Sequence, residues 1–112
     1  MAACLRGARC FASHRTASRL HDLAFTSSTV IELSTTQGAR SSADVIIHRT
    51  KSLLPCDCSV VRGIPCTDVN RTLLDLGAVA PLEVVEDALD IALVSRSTSL
   101  PRLEWRLTRH DL

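Results

Sequence analysis

Residues 63–76 read Gly-Ile-Pro-Cys-Thr-Asp-Val-Asn-Arg-Thr-Leu-Leu-Asp-Leu, and no other stretch of the chain restricts its folding as tightly. Gly63 can adopt backbone angles closed to other residues, and Pro65 removes a ladder donor. The Thr67 hydroxyl can cap a helix, on which Val69, Leu73 and Leu76 then recur at i, i+4 and i+7. The segment therefore predicts a strand, a rigid turn, a helix cap and a helix in direct succession. On that helix Arg71 and Asp75 stand one turn apart on one face, the spacing at which opposite charges meet.

The flanking sequence supplies the other elements. Ser13 suits the N-cap of a helix running to about Leu23, with Ala17, Leu20 and Ala24 on its inner face. Residues 29–33 are short and β-branched, 37–43 form a Gly- and Ser-bearing loop, and 44–49 and 58–62 read as two further strands. The connections are too short for helical crossovers, so the sheet is expected to be antiparallel or mixed. Pro81 fits the first turn of a helix with Leu82, Val85, Leu89 and Ala92 inward and Glu83, Glu86, Asp87 and Asp90 outward. Ser99 caps a last helix with Leu100, Leu103 and Leu107 inward and Arg102, Arg106 and Arg109 outward. The expected fold class is α+β: a small antiparallel or mixed sheet, an N-terminal helix and a three-helix C-terminal segment. Residues 1–12 are read as a basic, mobile stretch and 13–112 as the folded domain.

At 112 residues the chain fits a single domain that would bury about two thirds of the surface of its unfolded form. Its aromatic rings are Phe11, Phe25 and Trp105 alone, so the core must be aliphatic. A formal net charge of +1 excludes a globally basic nucleic-acid coat or an acidic tail. Five cysteines, an odd number, argue against a secreted disulfide scaffold and for a reducing cytoplasm. No apolar run reaches the roughly eighteen residues a membrane helix needs, and the start lacks the apolar region of a signal peptide.

Three further segments join residues 63–76 in a family pattern. Ser13-His14-Arg15-Thr16-Ala17-Ser18-Arg19-Leu20-His21-Asp22-Leu23, Val45-Ile46-Ile47-His48-Arg49-Thr50, and the acidic helix from Pro81 with Val94, Ser95, Leu100 and Leu103 follow in order. Together they resemble the AbiEi-type antitoxins of type IV toxin–antitoxin systems and related bacterial proteins with a very-short-patch-repair-like endonuclease domain; Ser18 and Asp22 depart from the pattern. The resemblance implies a non-catalytic antitoxin-type or transcriptional regulatory domain, lacking the family's N-terminal winged helix and any C-terminal endonuclease-like domain. Its partners would be DNA, reached through the missing winged helix, and a nucleotidyltransferase-like toxin. The alternative is a linker or accessory domain, or a truncated remnant, of an endonuclease protein of that kind. A mitochondrial transit peptide over residues 1–20, which carry arginine and serine and no acid, competes with the helix already matched at residues 13–23.

Candidate functional residues divide by chemistry. Arg71 and Asp75 either orient a phosphate or partner charge or form an ion pair that fixes their helix. His14, Arg15, Arg19, His48 and Arg49 are candidate nucleic-acid or partner contacts, and the basic patch Arg6, Arg9, Arg15 and Arg19 would give only weak, non-specific DNA binding. His14 and His48 repeat the dipeptide His-Arg, and if they met they could bind metal or exchange protons, but no third ligand stands at a spacing that demands one. Cys56, Cys58 and Cys66 lack zinc-knuckle spacing. Nucleophile elbows, phosphate loops and clustered carboxylates are absent from the sequence. The sequence thus predicts no catalytic residue, no cofactor and no metal.

Overall fold

The aliphatic and β-branched runs become strands, and there are more of them than periodicity predicts. The computed structural model describes residues 10–23, 30–38, 41–51 and 53–109. Among these, β1 (Cys10–Ala12), β2 (Ile31–Thr35), β3 (Val45–Arg49), β4 (Cys58–Val61) and β5 (Ile64–Thr67) form one sheet in the order β3-β2-β1-β5-β4. The β1/β2 and β4/β5 pairs are antiparallel, while β1/β5 and β2/β3 are parallel. The fold is α+β with a mixed sheet. Parallel β2 and β3 are joined through residues 36–44, where no helix occurs among the described positions.

Cys10–Ala12, which the sequence reading leaves in the mobile N-terminal stretch, is the central strand of the sheet. Three residues are too few to show a period; ladders on both sides hold them, with Ala12 opposite Leu33 and Cys66. β2 runs to Thr35, two residues beyond the expected end, and buries Glu32, Leu33, Ser34 and Thr35 in succession. Pro65 lies within β5 rather than in a turn. The parallel ladder from β1 meets β5 at Cys66, so the missing proline N–H leaves that pairing intact.

The helices are α1 (His14–Leu20), α2 (Val69–Val79), α3 (Leu82–Val94) and α4 (Leu100–Leu107), with a 3₁₀ turn at Pro55–Asp57. α1 stops before the expected Leu23 because the chain turns at His21 and Asp22 takes a left-handed φ of 55°. Ser13 stands at its N-cap position without a side-chain cap bond, and Ala24 lies outside the described residues. The cap of α2 is Asp68, whose carboxylate accepts the Arg71 backbone N–H at 2.8 Å. Thr67, expected in that role, belongs to β5 and hydrogen-bonds the Thr72 hydroxyl at 2.7 Å. On α3 the acidic residues face outward as expected, but Leu82 is 68% exposed and Ala88 and Ala92 carry the buried seam.

α4 departs furthest from its predicted face. Leu103 is buried as expected, whereas Leu100 and Leu107 are exposed and Arg106 is buried. Two apolar clusters result. One joins Leu23, Leu73, Leu76, Ala88, Ala92 and Leu103 between the helices. The other joins Cys10, Ala12, Ala17, Leu33 and Cys66 on the sheet.

Candidate functional site

A charged residue inside an aliphatic strand must be paired or pay heavily for desolvation. Glu32 is such a residue, between Ile31 and Leu33 of β2 and 1% exposed. Its Oε1 accepts from Arg15 Nη1 at 2.9 Å, and its Oε2 accepts from His48 Nε2 at 2.7 Å. The Arg15 guanidinium also donates to the Val79 carbonyl, tying the end of α2 to the same carboxylate. Burial pushes the Glu32 carboxyl up, but the hydrogen bonds from His48 and Arg15 outweigh it and hold the group below its ordinary value.

His14 completes this cluster. Its ring lies against the His48 ring with centroids 3.7 Å apart and planes 18° from parallel. Its Nδ1 is 2.8 Å from the Ser13 hydroxyl, which accepts from the Ser34 hydroxyl at 2.7 Å. Burial first, and the neighbouring His48 second, lower its pKa from 6.5 to about 4. His14 opens α1 in the left-handed region, at φ 52°, where a β-carbon is strained. Ligand atoms of His14, Glu32 and His48 all lie within 4.8 Å of one another. Among the described residues, this is the group of side chains that could hold a metal ion.

A second buried carboxylate, Asp57, organises a second cluster. Its Oδ2 accepts from Arg71 Nη1 at 2.9 Å, from Arg106 Nη2 at 2.9 Å and from the Leu54 N–H at 3.0 Å; its Oδ1 accepts from Arg106 Nε at 2.6 Å. Both arginines are buried with it. Arg71 also donates through Nε to Asp75 Oδ1 at 3.0 Å and through Nη2 to the Thr50 hydroxyl at 2.9 Å. Asp57 is held below its ordinary pKa, because the bonds from Arg106 and Leu54 outweigh burial. Asp75 is pushed up by burial despite Arg71, and its Oδ2 has no partner among the described residues. β3 joins the two clusters, since His48 reaches Glu32 and Thr50, two residues on, reaches Arg71.

The structure thus brings together His14, Arg15 and His48, and separately Arg71 and Asp75. Arg49 is exposed beside Thr36, Thr50 and Lys51, and Arg19 lies in the last turn of α1. Arg6 and Arg9 fall outside the described residues. Cys56, Cys58 and Cys66 are free thiols, and the fully buried one is Cys66. No described helix is long and apolar enough to cross a membrane. Glu32 and Asp57 escape sequence reading, and Arg106 is read there only as an outward residue; the available signal is an isolated carboxylate between Ile31 and Leu33 and another between Cys56 and Cys58. No protein-family model, curated protein or solved structure matches this chain.

Proposed function

We propose that the chain is a non-catalytic antitoxin-type or transcriptional regulatory domain of a bacterial type IV toxin–antitoxin system. The supporting observation is spatial convergence. Three of the four sequence segments that carry the resemblance lie far apart in the chain, yet their polar residues meet: His14 and Arg15 from residues 13–23 and His48 from residues 45–50 gather at Glu32, and Arg71 from residues 63–76 reaches Thr50. A pattern assembled by accident has no reason to close on itself. The non-catalytic part of the reading is supported by saturation of Glu32 and Asp57, whose oxygens already accept from arginine, histidine or backbone donors. A general base needs an accepting lone pair within reach of substrate.

The test is co-expression with a nucleotidyltransferase-like toxin encoded beside it. Growth should be restored by the wild-type chain. Continued arrest by the toxin, with the chain soluble and folded by circular dichroism, would reject the antitoxin reading. The isolated chain should bind duplex DNA weakly and lose that binding steeply as salt rises. Tight, sequence-selective binding at physiological salt would contradict the idea that a separate winged helix reads the operator.

A further inference from the structure

We propose that His14, Glu32 and His48 form a binding site for a first-row divalent transition metal, zinc foremost. The sequence offers two histidines and no third ligand; the fold supplies it from β2, where Glu32 is turned toward both rings. The donor set is two imidazole nitrogens and one carboxylate oxygen. Two nitrogen donors select for transition metals over magnesium and calcium, which prefer oxygen. Three protein ligands also leave a zinc ion one position for solvent.

Three observations beyond proximity support the site. Ligands are fixed from outside: Arg15 occupies Glu32 Oε1, leaving Oε2 as the donor, and Ser13 engages Nδ1 of His14. Such outer contacts orient metal ligands. The backbone of His14 is held in the left-handed region, a strained conformation that recurs where side chains are aimed for function. Access exists from one side, because the His48 side chain is 26% exposed while Glu32 and His14 are buried. In the metal-free arrangement a proton lies between His48 Nε2 and Glu32 Oε2 across 2.7 Å. The ion takes that proton's place and the proton leaves to solvent. Rotation of the half-exposed His48 ring opens the stack so that the nitrogen lone pairs converge. The Arg15 guanidinium opposes a dication, which makes this a site of moderate affinity that a strong chelator empties. An ion there ties β2, β3 and the start of α1 together, and this assignment stands independently of the antitoxin reading.

The experiment uses the full chain after chelator treatment, in wild-type form and as a Cys56→Ser/Cys58→Ser variant, titrated calorimetrically with zinc chloride and separately with magnesium chloride. About one zinc per chain should bind in both forms, with no magnesium uptake. His48→Ala, which leaves Glu32 its Arg15 partner and removes one imidazole from the site, should lose the zinc uptake while keeping its circular dichroism spectrum. Cobalt(II) should give a visible ligand-field spectrum without a thiolate charge-transfer band. No zinc uptake by the wild type, uptake unchanged in His48→Ala, or uptake that vanishes with the two cysteines would each overturn the proposal. Should His48→Ala fail to fold, zinc-dependent elevation of the melting temperature in the cysteine variant and its absence in His48→Gln decide the matter.

Discussion

Arg71 was legible as half of an ion pair because its partner Asp75 lies one helical turn away; Asp57, its more deeply buried partner, comes from a distant 3₁₀ turn and was not. That difference changes the expected cost of mutation. Asp57→Ala deprives two buried guanidiniums of their shared carboxylate and should cost about 3–5 kcal/mol. Asp75→Ala removes one bond while Arg71 keeps Asp57 and Thr50, and should cost about 1–2 kcal/mol. Urea unfolding of both variants decides this, and an Asp75→Ala cost equal to that of Asp57→Ala would show the hierarchy to be wrong. His14 carries a pH signature of its own. Its folded pKa of about 4 lies below the unfolded 6.5, so between those values the unfolded chain binds more protons. Its stabilising contribution is therefore complete above pH 6.5 and disappears as pH falls to about 4, a loss of roughly 3 kcal/mol. Asp68 and Asp75, raised by burial, return part of that as they protonate in the folded state. Glu32 and Asp57, held low, lose theirs only below their ordinary values of 4.5 and 3.8. Stability measured with chelator present should thus fall between pH 6.5 and 4 in the wild type and much less in His14→Asn, whose side chain tolerates the left-handed backbone. Equal slopes in the two proteins would refute the assignment.

Among elements, the β4–β5 hairpin was the easiest to read and α4 the hardest. Between Val61 and Ile64 the turn is two residues, Arg62 and Gly63, with φ of 50° and 77°; positive φ at both central positions is what a type I′ hairpin turn requires. Gly63 announces such a turn in the sequence, but Arg62 is an unsuited residue in it. Arg62→Asn should raise stability by about 0.5–1 kcal/mol, since asparagine enters this region more readily. The bond it gives up, from Arg62 Nη2 to the Leu20 carbonyl at 3.3 Å, is exposed and weak. Gly63→Ala should cost about 1 kcal/mol through backbone strain alone, because no atom lies within 4 Å of the added carbon. Thermal melts of the two variants should move in opposite directions. Periodicity failed on α4 because it ranks leucine above arginine for burial. Asp57 reverses that order: a buried carboxylate rotates the helix until Arg106 faces it, and Leu100 and Leu107 are left in solvent. β1 was illegible for another reason, since a central strand of three residues is specified by its neighbours on both sides.

Across the whole molecule, ions connect parts that apolar packing leaves separate. The helical core and the sheet core are distinct clusters, and Asp57, at the entrance to β4, binds α2 through Arg71 and α4 through Arg106. Sequence showed the charges on these helices without showing the carboxylate between them, so the coupling could not be read in advance. Trp105, the single tryptophan, reports on α4, where the Arg109 guanidinium lies 4.4 Å from its ring centre. In the wild type, tryptophan fluorescence and far-ultraviolet circular dichroism should follow one transition in urea, as a two-state domain requires. α4 spans eight residues, whereas a helix below about 12–15 residues has marginal stability alone. Arg106→Ala removes its ionic attachment while Asp57 keeps Arg71 and the Leu54 N–H, so the sheet and α2 retain their own satisfied network. The fluorescence transition should then shift to lower urea than the circular dichroism transition. Asp57→Ala, by contrast, releases α4 and takes from Arg71 its more deeply buried carboxylate, so both probes should shift together. Coincident transitions in Arg106→Ala would mean that Leu103 alone fastens α4 to the helical core, and that Asp57 joins the sheet to α2 only.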